Sequence, residues 1–311
     1  ALYAVIGLVV MSVGTRWVER LMPPVVTGAV VAVIGLNLAS IPIKNMAPTG
    51  FDAWMQAVTF VSIGVVAVFT TGMTRRLLIL VGLIAACLAY AALTNGLGWG
   101  KPIAGGLIAD AAWFGMPNFT APVFEVRAIV LIAPVALILV AENLGHLKAV
   151  GAMTGQDMDR HIGRAFLGDG VATMVSGGVG GTGVTTYAEN IGVMSATRIY
   201  STALFVVAAL FAIVLGFSPK FGAVIHTIPL AVMGGISIVV FGLIAIAGAR
   251  IWVDNRVDFT DSRNLIVAAI TLVLGTGDFT LKFGDFAMGG IGTATFGAII
   301  LNAVLSRGRG R

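Results

Sequence analysis

The chain has 311 residues, of which 58% are hydrophobic and 11% charged, with a mean hydropathy of +1.00. A soluble domain carries roughly 25% charged residues, so a water-soluble globule is excluded and a polytopic membrane protein is expected. The net charge of +5 does not mark a nucleic-acid binder, because the basic residues flank apolar runs instead of forming one patch. The lone cysteine, Cys87, lies inside such a run, which leaves neither an intrachain disulfide nor a thiolate metal cluster available.

The first apolar run, Leu2–Gly14, ends at Thr15-Arg16-Trp17 and Glu19-Arg20, an interfacial aromatic with basic flanks. Pro23-Pro24 opens the next segment, Val25–Ile41, since proline suits the first turn of a helix. Ala53–Thr70 follows and stops at Thr74-Arg75-Arg76. Leu77–Leu93 is the fourth run, and Asn95–Glu125 is a long connection bearing Gly, Pro and Trp. Val126–Val150 carries Glu142 and His146. A polar loop, Gly151–Arg164, leads to the run Ala165–Val175. Tyr200–Leu215 and Ile228–Ala249 are further spans, and Arg250–Arg263 reads as a charged amphipathic stretch along the surface. Leu265–Leu274 and Ile291–Leu305, split by Gly275–Asp285, are the last apolar segments.

Between Ala165–Val175 and Tyr200 the pattern breaks. Five glycines fall within Gly177–Gly183, a composition that opposes a stable helix. The run Val184–Tyr187 favours an extended backbone, and helical spacing resumes at Ala188–Thr197. Such a broken membrane helix is stable only where its open backbone is buried in protein or lines a cavity, and broken helices build substrate sites in secondary transporters.

Counting 165–198 as two crossings gives a consistent topology. One side then collects Arg16, Arg20, Arg75, Arg76, Lys148, Arg160, Arg164, Arg198, Arg250, Arg256, Arg263, Arg307, Arg309 and Arg311. The other side holds Lys44, Lys101, Arg127, Lys220 and Lys282, so the division is fourteen against five of the nineteen basic residues. The rule that positive charge stays inside assigns the richer side, and with it the C-terminus, to the cytoplasm.

Most acids lie in loops; Glu142 and Glu189 do not, and an ionisable group inside a span is functional by default. Glu142 and His146 are four residues apart and share a helix face, where a carboxylate and an imidazole can hold or pass a proton. Each has a plainer reading. Thr186-Tyr187-Ala188-Glu189 fits a capping box, and His146, two positions before Lys148, fits an interfacial histidine. Asp169 reads as a boundary pair with Arg164. Gly178-Val179-Gly180-Gly181-Thr182-Gly183 formally matches GxGxxG, but no α/β unit surrounds it and no phosphate-binding lysine follows.

Glu189-Asn190-Ile191-Gly192 followed by Thr197-Arg198 resembles the signature of the nucleobase–ascorbate transporter family, also called nucleobase:cation symporter-2. The resemblance runs through AENLGHLKAVGAMTG at 141–155 and YAENIGVM at 187–194 and extends along the chain. It implies an all-α fold of about fourteen membrane segments in two inverted repeats of seven, with broken helices carrying short strands. By the same resemblance the chain opens within a fourth segment, so that N-terminal segments and half of the binding site are expected before Ala1. The implied core (substrate-binding) domain comprises 1–22 and 126–217, and the gate domain 23–125 and 218–311.

The resemblance further implies a secondary active transporter importing uracil or a related pyrimidine by proton symport, not an enzyme. It names Glu142, Glu189, Ala188 and Tyr187 as substrate-binding, Glu142 with His146 as proton-coupling, and Asn190, Gly192, Thr197 and Arg198 as the signature. Ala188 stands where the uracil-permease-like members carry glycine. Glutamate at position 189 goes with uracil-type substrates and glutamine with xanthine or urate, so a purine permease is the near alternative. An anion transporter of the same architecture is the distant one, disfavoured by two acids at the site. No metal or cofactor is implied beyond the coupling proton. The expected setting is the bacterial inner membrane, in a multi-pass protein that pairs as a homodimer and binds no nucleic acid.

Overall fold

The computed structural model describes residues 1–103, 105–133, 135–187, 190–191, 193–194, 198–283 and 286–307. Helices dominate. They begin with α1 (Leu2–Val13), α2 (Arg16–Leu21), α3 (Pro24–Leu38), α4 (Ser40–Asn45), α5 (Gly50–Phe69) and α6 (Gly72–Arg76). Next come α7 (Leu78–Ala91), prolonged by a π-helical turn to Gly96, then α8 (Gly106–Asp110), α9 (Val126–Ile132), α10 (Val135–Thr154) and α11 (Ile162–Gly178). After the break lie α12 (Thr202–Gly216), α13 (Pro219–His226), α14 (Leu230–Asp254) and α15 (Ser262–Thr276). A hairpin of β1 (Leu281–Phe283) and β2 (Phe286–Met288) precedes α16 (Gly290–Arg307), with Leu281 opposite Met288.

Four of the described helical spans are long and apolar enough to cross a membrane: Pro24–Asn45, Gly50–Phe69, Leu78–Gly96 and Leu230–Asp254. The bent pair α12 and α13, which turns through 85°, makes a fifth if it is one span. Helix α12 has no buried residue although nearly every side chain is apolar, a surface suited to hydrocarbon and costly in water. These features make the chain a multi-pass membrane protein.

Two compact units divide the chain. The first comprises Ala1–Leu38, Phe119–Ile191 and Phe241–Arg311. Its centre is α3, where Val26, Ala29, Val30 and Val33 have no exposed surface. A helix buried all round has no polar face to keep, which is why its sequence shows no amphipathic stripe. Small residues let backbones meet: a Cβ on Gly163 of α11 would stand 2.8 Å from the Met11 amide nitrogen and 3.0 Å from the Gly7 carbonyl of α1. One end of this unit gathers charges and indoles. Lys148 pairs with Glu19 at 2.9 Å, and Trp252 Nε1 donates to the Val25 carbonyl at 3.1 Å.

The second unit comprises Ala39–Asn118 and Gly192–Val240. Helices α5 and α7 pack through Met55, Ala86 and Tyr90 with Ala231 and Val232 of α14. Thr49 and Asp52 form a reciprocal capping box at the start of α5. The connection after α7 is pinned by side chains: Tyr90 donates to the Lys101 carbonyl, and Asn95 exchanges two hydrogen bonds with Ile103. Further along it, Phe114 stacks on Phe217 and Lys220 lies over the Trp113 ring at 4.6 Å.

Three sequence expectations are corrected. Helix α11 runs one turn further than the glycines suggested and includes Gly177 and Gly178, because their amides still find carbonyls within the helix. Residues 181–187 form neither helix nor the short strand that the resemblance implied; backbone groups of Thr182, Val184 and Thr186 bond to side chains of α11 where a neighbouring strand would otherwise stand. Arg250–Asp254 does not leave the helix for the surface but ends α14, with Arg250 and Asp254 paired at 3.5 Å one turn apart.

Candidate functional site

The site is best built from α11. Its polar residues Asp169, Thr173 and Ser176 recur at i, i+4 and i+7 and therefore line one face of the helix. Against that face lies an arm, residues 182–187, running back along it. Ser176 donates to the Thr182 carbonyl at 2.7 Å. The Thr173 hydroxyl donates to the Val184 carbonyl at 2.8 Å and accepts from the Val184 amide at 3.2 Å. Asp169 Oδ2 accepts from the Thr186 hydroxyl at 3.0 Å and from its amide at 3.3 Å. Even-numbered residues of the arm thus meet α11, and the helix supplies partners that a membrane interior cannot.

The odd-numbered Thr185 faces the other way, towards α10. There Asn143, 1% exposed, lies beside Glu142 in the sequence. Its Nδ2 donates to Asp169 Oδ2 and to Tyr3 Oη, each at 2.7 Å, while Thr185 Oγ1 lies 3.4 Å from Asn143 Oδ1. Tyr3 in turn points its hydroxyl at the Leu139 carbonyl, 3.4 Å away. Four pieces of chain, α1, α10, α11 and the arm, therefore meet at one buried amide.

The sequence-derived residues fall around this junction. Glu142 and His146 lie on α10, both half-buried, one turn apart. Tyr187 ends the arm, 58% exposed, and its carbonyl accepts from the Asn190 amide at 3.2 Å as the chain turns helical. Arg198 is exposed and takes a left-handed backbone, φ 55°, as its amide closes onto Met194. Ala188, Glu189, Gly192 and Thr197 lie outside the described residues, and with them the capping-box reading of Glu189. Asp169 requires a correction. Arg164 is five positions away on an exposed face, and Asp169 turns inward to Asn143 and Thr186 instead of pairing with it.

Asn143 and Tyr3 escaped the sequence reading. The available signal was a carboxamide inside an apolar span, next to a carboxylate already singled out. The stripe at 169, 173 and 176 was equally visible as a polar i, i+4, i+7 pattern.

A polytopic chain with a clamped, non-helical arm between two apolar helices that turn polar side chains towards it has the parts of a membrane carrier. It belongs to the Permease family (Xan_ur_permease), which matches residues 1–283. The chain is 68% identical over 305 residues to the Escherichia coli (strain K12) protein that carries the name pyrimidine permease RutG. That match covers 98% of this chain and 69% of the relative. Over 319 residues it is 39% identical to the uracil permease of Bacillus caldolyticus, covering 97% of this chain and 72% of the relative. Over 309 residues it is 35% identical to the uracil permease of Escherichia coli (strain K12), covering 97% and 71%. These relatives are permeases by name, not enzymes.

Proposed function

We propose that this chain acts in a secondary active transporter that imports uracil or a related pyrimidine nucleobase by proton symport. The observation that carries the reading is the arm, clamped between α11 and α10, which connects the helix of Glu142 and His146 to the segment of Glu189. A uracil ring presents N–H donors and C=O acceptors along one edge. Glu142 and Glu189 accept from the N–H groups, and backbone amides near Ala188 and Glu189 donate to a carbonyl. Tyr187 borders the ring, and Asn190, Gly192, Thr197 and Arg198 shape the half-helix that follows. The names of the relatives support the same substrate class.

Glu142 with His146 holds the coupling proton, and no further cofactor enters. Transport proceeds by alternating access, a core of 1–22 and 126–217 rocking against a gate of 23–125 and 218–311 within a seven-plus-seven inverted-repeat fold. The protein sits in the bacterial inner membrane as a homodimer, with the basic end and the C-terminus in the cytoplasm.

The test is uptake of labelled uracil by cells expressing the full-length protein, with unlabelled bases as competitors and with the proton gradient intact or collapsed. Competition by uracil or thymine, and loss of accumulation on collapse, is expected. Preference for xanthine or urate overturns the pyrimidine assignment. Accumulation driven by sodium alone overturns proton coupling, and uptake of inorganic anions in place of bases overturns the class.

A further inference from the structure

We infer that Asn143 is a positioning residue: its carboxamide sets the register of the arm 182–187 on α11, and so the placement of the chain that runs on into the proposed substrate site. The transport part of this inference rests on the function proposed above; the structural part does not.

Proton arithmetic at the junction carries the argument. A carboxamide nitrogen has two hydrogens and its oxygen only accepts. Asp169, when ionised, only accepts, so the amide nitrogen of Asn143 must face it, which fixes the orientation of the amide. One hydrogen goes to Asp169 Oδ2 and the other to Tyr3 Oη, both at 2.7 Å, and the nitrogen is then fully used. Thr185, 3.3 Å from that nitrogen, therefore serves the amide oxygen and donates its hydroxyl there, at 3.4 Å. Each partner thereby has one role. Neither leucine nor aspartate could replace Asn143 here. Leucine leaves Asp169 and Thr185 short of a partner, and aspartate sets two carboxylates face to face.

The same oxygen of Asp169 that takes the Asn143 hydrogen also takes both hydrogens of Thr186. Asn143 and the arm are thus joined twice, directly through Thr185 and indirectly through Asp169. A slip of one residue along the arm would present Thr185 to α11 and Thr186 to α10, reversing both sets of bonds. Asn143 follows Glu142 directly on α10, so the side chain that holds the arm stands next to a residue of the proposed substrate site.

The experiment uses the full-length protein in detergent or nanodiscs. Hydrogen exchange across 182–187, thermal stability and uracil affinity are measured for Asn143→Ala, for Thr185→Val, and for a swap that combines Asn143→Asp with Asp169→Asn. The swap reverses the polarity of the central bond. The carboxamide, now on α11, donates to the carboxylate, now on α10. Tyr3 and Thr185 donate to that same carboxylate, and the carboxamide oxygen receives Thr186 after a side-chain rotation. Both single variants are expected to speed exchange in the arm and weaken uracil binding, each by about tenfold. Asn143→Ala loses stability as well; Thr185→Val, at a half-buried position, removes a single long hydrogen bond, disturbs the core less, and keeps the test valid if the first variant misfolds. The swap is expected to restore slow exchange and affinity. Wild-type exchange and affinity in the folded fraction of both single variants would overturn the positioning role and leave only a structural one. A swap as loose as the single variants would overturn it too. Fast exchange in the variants of a protein that binds no uracil at all would uphold the positioning role while refuting the substrate.

Discussion

Thr173 does for Val184 what a neighbouring strand would do, accepting from its amide at 3.2 Å and donating to its carbonyl at 2.8 Å through a single hydroxyl. A side chain on a helix thus completes the backbone bonding of a segment that has no ladder partner. The consequence is that the arm depends on one oxygen atom at its midpoint. Thr173→Val keeps the shape and removes that atom, leaving both backbone groups of Val184 without it. A cost of about 1–3 kcal/mol is expected. Thermal unfolding in detergent should show the loss, exchange at 182–187 should accelerate, and Thr173→Ser should restore both. Unchanged exchange in Thr173→Val would mean that water serves Val184 equally well.

Glu189→Gln tests the acceptor after the arm. Under the proposed function it weakens pyrimidine transport or shifts preference towards oxopurines, through loss of a charge-assisted bond worth about 1.5–3 kcal/mol. Competition curves for uracil and xanthine on the full-length protein measure both effects. Wild-type affinity and selectivity would return Glu189 to the capping-box reading.

Coupling is tested one turn away on α10. Uptake should rise as external pH falls, because protonation from outside loads the carrier. Glu142→Gln imitates the protonated form and removes its release, so binding survives while accumulation against a gradient is lost. If the mutant still concentrates uracil in a pH-dependent manner, the proton is held elsewhere. His146→Ala alongside decides whether the pair acts as one unit: equal losses in each single variant and no further loss in the double variant are expected.

Two glycines of α11 should respond in opposite ways. At Gly163 an added side chain meets the backbone of Met11 and Gly7 within about 3 Å. Gly163→Val should therefore cost about 1–3 kcal/mol by overpacking, read as a lowered Tm. Nothing lies within 4 Å of a Cβ at Gly168. Gly168→Ala should be neutral or gain about 0.5–1 kcal/mol from reduced chain entropy. A lowered Tm in Gly168→Ala would show that α11 meets a further surface there.

The resemblance in AENLGHLKAVGAMTG and YAENIGVM and the apolar runs make the class legible in the sequence, as does the break after Val175. Partition into hydrocarbon is a sum over one continuous segment, and a glycine-rich interruption is just as local, so both are written in consecutive residues. The ends of those segments were less legible. Helix α11 kept two of the glycines, and α14 kept Arg250–Asp254, because a helix already packed along its length continues for as long as each next amide finds a carbonyl.

What only the tertiary structure decided is the junction of Tyr3, Asn143, Asp169 and Thr185. The members stand 140, 26 and 42 positions apart along the bonds that join them. No periodicity relates such separations. In sequence Asp169 looked nearest to the charge of Arg164, yet a helix puts residues five apart on different faces, and the packing of α1, α10 and α11 turned that carboxylate inward. The acid was recognisable from its residue type; its partners depended on which helices packed around it, and hydrogen bonds in a medium without water go to whichever groups that packing brings within reach.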